Sequence, residues 1–427
     1  MKLTDDEKAM LDGKEGPARQ KAMELLVKYG EALGAERFVD TNNVCGVLGS
    51  SGPFIRDFAA REQGQDAVFS EFCLDSREAV EIPEVKAYSC HLIQGMDPIH
   101  WKMQGIDPSA YELHKAAEAF CKRIGIQLMN TCAPYLVGNI PVKGEHCAWM
   151  ESSAVVYINS VLGARTNTEG RESTCSAMLT GKIPYWGYHL DENRLGTHLV
   201  DVEWDVESVM DWGLLGYYFG EMVGERVPVV TGIRKNPNFS EVKHCGAASA
   251  SSGGVELYHI VGVTPEAPTL KKALGQRKPV ATLKFGKAER KETYDKLNSS
   301  AKDTAVDFIM LGCPHYSIQQ LWEVCKLLRG RRVNSNTNLW IFIPRGLKDI
   351  ADRNGYTDII TGAGGILMTD TCPALAHVIP KGTKVAATDS AKQAHYLPPI
   401  MGVQTWFGTQ GDCIEAAISG HWRGDLA

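Results

Sequence analysis

The sequence predicts an α/β fold in which mostly parallel sheets are flanked by helices. Apolar segments of strand length are repeatedly followed by a turn and then by a helical pattern, as in "VDFIMLGCPHYSIQQLWEVC", and this alternation is typical of parallel sheets. The chain has 427 residues, 44% of them hydrophobic, and a formal net charge of -6, so it can bury the core of two or three domains. No internal repeat and no low-complexity tract interrupts the pattern.

Composition excludes several classes of protein. No apolar run reaches the length of about 18 residues that a membrane-spanning helix needs. The start, "MKLTDDEKAMLDGKEG", is too charged to act as a signal peptide, so we expect a cytoplasmic protein. Lysine and arginine are scattered and form no basic stripe, which argues against a nucleic-acid partner.

Local signals predict individual helices and strands. Asp107 is expected to cap a helix that has Pro108 in its first position, runs to about Arg123 and is stopped by Gly125. "IQLMNTCAPY" after it predicts a short strand, whose carboxyl end leads to Cys132. Further on, "GLLGYYFGEMVGERVPVVTGI" predicts a buried helix that leads into a strand. Residues 270–303 are rich in charge, predict a solvated strand and helix, and mark the clearest internal seam of one catalytic unit.

Twelve cysteines in such a chain are expected to be free thiols, metal ligands or nucleophiles rather than disulfides. Cys121 and Cys325 fall on the apolar faces of helical patterns, where cysteine packs as a small hydrophobic residue. Seven others lack a distinctive setting and are interpreted as packing residues: Cys45, Cys73, Cys90, Cys147, Cys175, Cys245 and Cys413.

The remaining three cysteines each follow a predicted strand at a turn. Cys132 lies in a Cys-Ala-Pro turn, and Cys313 and Cys372 are each followed directly by proline. Ligands of open α/β sheets bind outside the carboxyl ends of the strands, so three cysteines at such ends can converge. Three thiolates would suit zinc or an iron–sulfur cluster and leave one metal position open for substrate. Three unconnected buried thiols are the alternative.

The densest polar stretch is "GEHCAWMESSAVVYINSVLGARTNTEGRES", residues 144–173. An arginine, amides and acid–base side chains surround an apolar helical centre, which is typical of a site for a small polar substrate. The candidate residues are Glu145, His146, Glu151, Ser152, Ser153, Asn159, Arg165, Asn167 and Glu169. Taken singly, each has a structural alternative, such as a serine that caps the helix or a surface ion pair between Arg165 and Glu169.

Several segments together resemble the aconitase X family: "CAPYLVGNIPVKGEHCAWMESSAVVYINSVLGARTNTEG", "ASASSGGVELYHIVGVTPEAP", "GCPHYS", "DTCP" and "DSAKQAHY". The resemblance spans nearly all of residues 1–427 and implies an aconitase-like catalytic core, as the large subunit of the two-subunit form. "NNVCGVLGSSGP" departs from the Ser-containing Gly-Val turn that is usual in the family, which leaves a substrate role for residues 45–52 open.

The resemblance implies an iron–sulfur hydro-lyase that dehydrates a small β-hydroxy carboxylate. Cys132, Cys313 and Cys372 would hold the cluster, [4Fe–4S] or [2Fe–2S], and an iron would act as a Lewis acid on the substrate hydroxyl. The candidates for catalysis are Glu145, His146, Glu151 and Lys392, and His395 joins the substrate-binding set. A metal-binding or redox-sensing protein without turnover is the alternative from another class.

The family offers two substrates, of which cis-3-hydroxy-L-proline is favoured and mevalonate 5-phosphate is the alternative. The phosphate of the second would need cations, for which the candidates are Arg165, Arg171, Arg194, Lys392 and His395. No swivelling domain of aconitase type is recognised after Cys372. The resemblance therefore implies a separate small subunit that carries this domain and supplies the serine proposed as general base. We expect no nucleic-acid or membrane partner.

Overall fold

The computed structural model describes residues 1–48 and 64–426. The strands in this part of the chain form four sheets, of which three are wholly parallel and one is an antiparallel pair. Helices pack around these sheets, and the predicted α/β fold class with mostly parallel sheets is confirmed. Among the described residues, no helix has both the length and the apolar character needed to cross a membrane.

The N-terminal region contains a parallel sheet and the antiparallel pair. Its strands are β1 (Phe38–Asp40), β2 (Asn43–Gly46), β3 (Tyr88–His91), β4 (Ala148–Trp149) and β5 (Lys182–Pro184). Its helices are α1 (Asp5–Leu11), α2 (Pro17–Ala32), α3 (Gly64–Leu74), α4 (Pro108–Arg123), α5 (Ser152–Tyr157) and α6 (Arg171–Thr180). The parallel sheet has the order β3-β2-β4, and β1 pairs with β5. Helix α5 continues as a π-helical turn over Ile158–Leu162.

The central region has a four-stranded parallel sheet in the order β8-β7-β6-β9, formed by β6 (His198–Val202), β7 (Pro228–Thr231), β8 (His259–Ile260) and β9 (Ala281–Phe285). Its helices are α7 (Val209–Val223), α8 (Phe239–Gly253), α9 (Leu270–Leu274) and α10 (Lys287–Leu297). Glycines let α7 and α8 pack closely, because a Cβ atom at Gly216 would lie 2.1 Å from the Cys245 carbonyl oxygen. This contact fixes α8 against the buried helix α7.

The C-terminal region has a five-stranded parallel sheet in the order β12-β11-β10-β13-β14. Its strands are β10 (Phe308–Leu311), β11 (Asn338–Ile343), β12 (Ile366–Thr369), β13 (Val385–Thr388) and β14 (Gln404–Phe407). Its helices are α11 (Ile318–Leu328), α12 (Lys348–Arg353), α13 (Tyr356–Ala363), α14 (Pro373–Ala376), α15 (Ala391–Met401) and α16 (Gln410–Ser419).

Most predicted elements are present. The Asp107 cap is confirmed, because its carboxylate accepts a hydrogen bond from the Ser109 N–H over 2.8 Å at the start of α4. The predicted buried helix and strand are α7 and β7. The charged segment 270–303 contains the predicted strand and helix as β9 and α10, while its role as a seam stays a prediction.

The predicted short strand before Cys132, in "IQLMNTCAPY", is wrong. In this segment only Gln127 forms a strand-like bridge, to Cys90 in β3. The Met129 N–H then turns back to the Gln127 carbonyl, and Asn130 has a φ of 47°, in the left-handed region that strands do not use. The chain therefore reaches Cys132 through a turn rather than along a strand.

The prediction that Cys45 and Cys90 are free packing residues is also wrong. Strands β2 and β3 pair with these two residues opposite each other, at a Cα–Cα distance of 5.0 Å, and the two cysteines form a disulfide. The single-chain pattern gives no register between β2 and β3, so it could not reveal this pairing. The other ten cysteines are free.

Candidate active site

Two of the three candidate ligand cysteines lie at the carboxyl ends of parallel strands in one sheet. Cys313 follows β10 and Cys372 follows β12, and both strands pair with β11. The predicted strand-end placement is confirmed for these two and is wrong for Cys132, which lies in the loop after α4. The three cysteines therefore come from different loops that tertiary contacts must join.

His315 makes that connection. Its backbone N–H donates to Cys132 Sγ over 3.3 Å. Its ring Nδ1 lies 2.9 Å from the Thr131 hydroxyl, and its Nε2 lies 3.0 Å from the Thr371 carbonyl. Because a carbonyl oxygen can only accept, Nε2 carries the proton and Nδ1 accepts from the hydroxyl. Burial lowers the pKa of His315 to about 4, which keeps the ring neutral.

A second contact joins the Cys132 loop to the Cys372 loop. Asn130 Nδ2 donates to the Asp370 carboxylate over 3.4 Å, and the Asp370 carbonyl accepts from the Gln94 N–H over 2.6 Å. Arg345 pairs with the same buried carboxylate. Two loops that are far apart in sequence are thus held side by side.

Each of the three sulfur atoms accepts a hydrogen bond from the protein. In addition to the bond that Cys132 receives, Gln393 Nε2 donates to Cys313 Sγ over 3.2 Å, and the Leu375 N–H donates to Cys372 Sγ over 3.4 Å. Such bonds are typical of thiolates that ligate a metal or cluster. In the part of the chain that the structure describes, no group of three His, Cys, Asp or Glu side chains converges on a position for a single ion. The three hydrogen-bonded thiols are of a ligand type that both zinc and iron–sulfur clusters use.

Electrostatics also couples the three thiols. Burial raises the pKa of Cys132 well above its usual value, and the neighbouring Cys313 and Cys372 raise it further. Burial likewise raises the pKa of Cys313, and it raises that of Cys372 to about 12. Three such thiols need positive charge close by to become thiolates, which is what a cluster of iron ions would provide.

Glu151 and Lys392 form an ion pair beside these thiols. Lys392 Nζ lies 2.8 Å from Glu151 Oε1 and 3.4 Å from each of the Ser152 and Ser153 hydroxyls. Burial acts to raise the pKa of Glu151, but Lys392 and Ser153 hold it below its usual value. Burial acts to lower the pKa of Lys392, but Glu151 and then Cys313 raise it above its usual value. Both groups are therefore charged.

The structure thus brings together four of the predicted site residues, Glu151, Ser152, Ser153 and Lys392. They stand at the first turns of α5 and α15. The Glu151 and Lys392 side chains are 22% and 13% exposed, so the pair is largely shielded from bulk water. This arrangement can bind a carboxylate and can accept a proton.

Glu145 and His146 lie in a different group. The Glu145 carboxylate accepts a hydrogen bond from Asn43 Nδ2 over 3.4 Å. The Nδ1 atoms of His146 and His189 are 2.9 Å apart. Burial lowers the pKa of His146, and the neighbouring Arg165 lowers it further. In the described structure these two residues share no hydrogen bond with the Glu151–Lys392 pair.

Arg165 is bound inside the protein through its guanidinium. Nη1 donates to the His189 carbonyl over 2.8 Å, and Nη2 pairs with Asp191. The structural alternative for Arg165 is therefore supported, with Asp191 rather than Glu169 as its partner. A role in clamping the substrate carboxylate would require Arg165 to leave these partners.

The remaining predicted residues also have partners within the protein. Asn159 Nδ2 donates to the Thr166 carbonyl over 2.8 Å, and Asn167 Oδ1 accepts from the Tyr188 N–H over 2.8 Å. The cations considered for a phosphate are paired too, as Arg171–Glu172, Arg194–Glu266 and His395–Tyr217. Of the segment 45–52, residues 49–52 lie outside the described residues.

Sequence reasoning missed His315, Gln393 and Lys243. The histidine directly after Cys313-Pro314 stands in "GCPHYS" and the glutamine beside Lys392 stands in "DSAKQAHY", so the positions of both residues offered a signal. Lys243 lies in "SEVKHCGAASA", and nothing in that stretch indicates a residue near the cysteines. Only the tertiary structure places it there, through hydrogen bonds to the backbone carbonyls of Pro314 and His315.

Comparison with known proteins gives the family. Models of the aconitase X first, second and third domains match residues 1–192, 196–295 and 306–419. The chain belongs to the aconitase X family. The expected resemblance is therefore confirmed from one end of the chain to the other.

Individual relatives agree with this assignment. The chain is 38% identical over 415 residues to the phosphomevalonate dehydratase large subunit of Methanocaldococcus jannaschii, a match that covers 96% of this chain and 98% of that protein. It is 34% identical over 424 residues to the cis-3-hydroxy-L-proline dehydratase of Pseudomonas aeruginosa, covering 97% of this chain and 69% of that longer protein. The crystal structure of Thermococcus kodakaraensis aconitase X in its holo form matches with a TM-score of 0.82 and 32% identity, covering 98% of this chain and all of that one. The predicted class of enzyme, a hydro-lyase, is confirmed.

Glu169 generates a pH-dependent prediction. Its carboxylate is 3% exposed and accepts hydrogen bonds from Ser173 over 2.7 Å and Tyr29 over 3.3 Å. Burial raises the pKa of Glu169 to about 7. The folded state therefore holds a proton that the unfolded state releases at a lower pH, so stability is lost as the pH rises from about 4.5 to about 7.

We expect Glu169→Gln to remove this loss, which amounts to roughly 3 kcal/mol when a pKa difference is converted to free energy. The thermal midpoints of wild type and Glu169→Gln, measured between pH 5 and 8, should diverge in favour of the variant as the pH rises. Parallel curves would show that Glu169 is ionised in the folded protein.

Proposed function

We propose that this protein is the large subunit of an iron–sulfur hydro-lyase that dehydrates a small β-hydroxy carboxylate. The observation that carries the proposal is the group of three hydrogen-bonded cysteines with the charged Glu151–Lys392 pair beside it. Dehydration needs a Lewis acid for the departing hydroxyl and a group that takes the proton next to the carboxylate. In an aconitase X protein, the three cysteines would hold the Lewis acid, and the Glu151–Lys392 pair would provide the group that takes the proton.

Cys132, Cys313 and Cys372 would hold the cluster. When bound, it would supply a Lewis-acidic iron that lowers the barrier to loss of the substrate hydroxyl. A [4Fe–4S] cluster with three cysteine ligands leaves one iron without a protein ligand, so we favour this type over [2Fe–2S]. The bonds from His315, Gln393 and Leu375 would orient the three sulfur atoms.

Lys392 and Glu151 have complementary roles in this proposal. The Lys392 ammonium is charged and would bind the substrate carboxylate. Glu151 Oε1 already accepts from Lys392 and Ser153, so Oε2 is the oxygen that would take the substrate proton. A serine of the small subunit, implied by the family resemblance, is the second candidate for the base.

Two substrates of this class compete. Mevalonate 5-phosphate is favoured by the relatives that match end to end, which are named phosphomevalonate dehydratase large subunits. cis-3-Hydroxy-L-proline is favoured by the charges, because it has no phosphate to bind. Of the cations that were candidates for a phosphate, Lys392 would bind the carboxylate, and the others have partners within the protein: Arg165, Arg171, Arg194 and His395. The same relatives' names support a small-subunit partner for this chain.

Activity assays test the reaction, the substrate and the partner together. We expect the cluster-loaded chain alone to turn over neither acid, and its complex with the small subunit to consume one of the two. Loss of each compound is followed by chromatography under anaerobic conditions. A cluster-loaded complex that consumes neither acid would refute the proposed substrates, and full activity of the chain alone would refute the need for a partner.

Replacing each ligand cysteine separately by alanine should remove iron and activity together, because each variant loses one of three thiolate ligands. Iron and sulfide per chain and the visible absorbance of Cys132→Ala, Cys313→Ala and Cys372→Ala report the cluster directly. Cys121→Ala is the control, since Cys121 is a buried free cysteine, at 1% exposure, and is interpreted as a packing residue. A variant of the three that keeps full iron content and activity would exclude that cysteine as a ligand.

Glu151→Gln should lower kcat by about 100-fold or more, because general acid–base groups contribute on that scale. Lys392→Met should raise KM, because it removes the cation that would bind the substrate carboxylate. Iron content should stay at the wild-type level in both variants. The matched controls are Glu203→Gln and Lys284→Met, which break an exposed ion pair of the same length, 2.8 Å. If Glu151→Gln alone keeps its kcat, the serine of the small subunit becomes the preferred base.

A further inference from the structure

Lys243 is a fully buried cation behind the cysteine loops. Its side chain, on α8, belongs to a residue that is only 1% exposed. Nζ donates to the Pro314 carbonyl over 3.2 Å, to the His315 carbonyl over 2.8 Å and to Gln320 Oε1 over 2.6 Å. Three acceptors satisfy the three N–H groups of an ammonium, so this geometry is that of a protonated lysine.

The charge of Lys243 has no carboxylate partner at ion-pair distance within the described residues. All three acceptors are neutral oxygens. A buried charge without a counter-charge is costly, so the surroundings must compensate for it. Burial lowers the pKa of Lys243 to about 8, and the groups that act against this are Cys132, Asp389 and Cys313.

Asp389 is the other group that could balance the positive charge of Lys243. Its carboxylate accepts a hydrogen bond from the Tyr316 hydroxyl, and its other oxygen has no partner among the described residues. Burial raises the pKa of Asp389 to about 6, so the carboxylate is still an anion at neutral pH, but no hydrogen bond or ion pair of the described residues joins it to Lys243. Cysteine sulfurs, in contrast, carry negative charge whenever they ligate a metal or cluster.

We propose that Lys243 is a positioning residue that holds the Cys313–Tyr316 turn through its hydrogen bonds and balances the charge of the Cys132 and Cys313 thiolates. The inference rests on the proposed function, because it requires these cysteines to be ligands. Lys243 lies in the central region, whereas the three cysteines come from the N-terminal and C-terminal regions. The central region would therefore also contribute a residue to the site. The close packing of α7 on α8 fixes the lysine in place.

The test replaces the charge and measures the cluster rather than turnover. A cation near a cluster favours its more negative, reduced state, so Lys243→Met should shift the midpoint potential of the reconstituted chain to a more negative value. It should also lower the iron content and speed the loss of visible absorbance in air. Lys182→Met is the matched control, since Lys182 is 14% exposed but pairs with the Asp40 carboxylate, and its variant should keep the wild-type potential.

Two further variants separate charge from shape. Lys243→Arg keeps the positive charge and should stay near the wild-type potential, whereas Lys243→Gln keeps donors for the carbonyls and should shift the potential as Lys243→Met does. If Lys243→Met does not fold, Lys243→Gln serves alone. Asp389→Asn removes a negative charge and should shift the potential in the opposite direction.

The outcomes distinguish this inference from the proposed function. A wild-type chain that takes up no cluster on reconstitution would overturn both. Suppose that the wild-type chain holds a cluster, and that Lys243→Met and Lys243→Gln lose thermal stability but keep the wild-type midpoint potential. This result would overturn only the role of Lys243. The role of Lys243 would be established if both neutral variants have a more negative midpoint potential than wild type while Lys243→Arg keeps the wild-type potential.

Discussion

A neutral histidine holds the candidate site together. His315, in the Cys313 loop, forms hydrogen bonds to the loops of the other two candidate ligand cysteines, through Thr131, Cys132 and Thr371. Burial keeps the ring neutral, and in that state its Nδ1 accepts from the Thr131 hydroxyl. Because the joined loops belong to distant parts of the chain, the N-terminal and C-terminal regions must be packed together before the site exists.

Charge is arranged on two sides of the cysteines. Lys392, paired with Glu151, lies on the side that a substrate can reach, and Lys243 lies in the interior. The first lysine has a carboxylate to neutralise it, whereas the second has only neutral acceptors. A buried site that carries thiolates can retain such a lysine without a carboxylate, because the ligands themselves supply the negative charge. In the proposed function the two lysines would therefore have different tasks, Lys392 towards the substrate and Lys243 towards the thiolates.

The polar stretch of residues 144–173 is divided by the fold. Its middle, Glu151 to Ser153, faces Lys392, but Glu145, His146 and Arg165 contact His189, Asp191 and Asn43 instead. Residues that are close in sequence here point to separate environments, because a short strand and a helix turn them to different sides. The structure thus divides the predicted site residues between two groups, while the helical centre of the stretch was correctly predicted.

The sequence by itself determined the α/β class, the capped helix at Asp107, the strand ends at Cys313 and Cys372, and the family. These features follow from local periodicity, from capping and turn residues, and from motifs whose residues are contiguous in the sequence. Only the tertiary structure decided the Cys45–Cys90 pairing, the turn before Cys132, the Glu151–Lys392 pair and the place of Lys243. Each of these joins residues through register or long-range packing, and neither register nor packing is encoded in the pattern of any one segment.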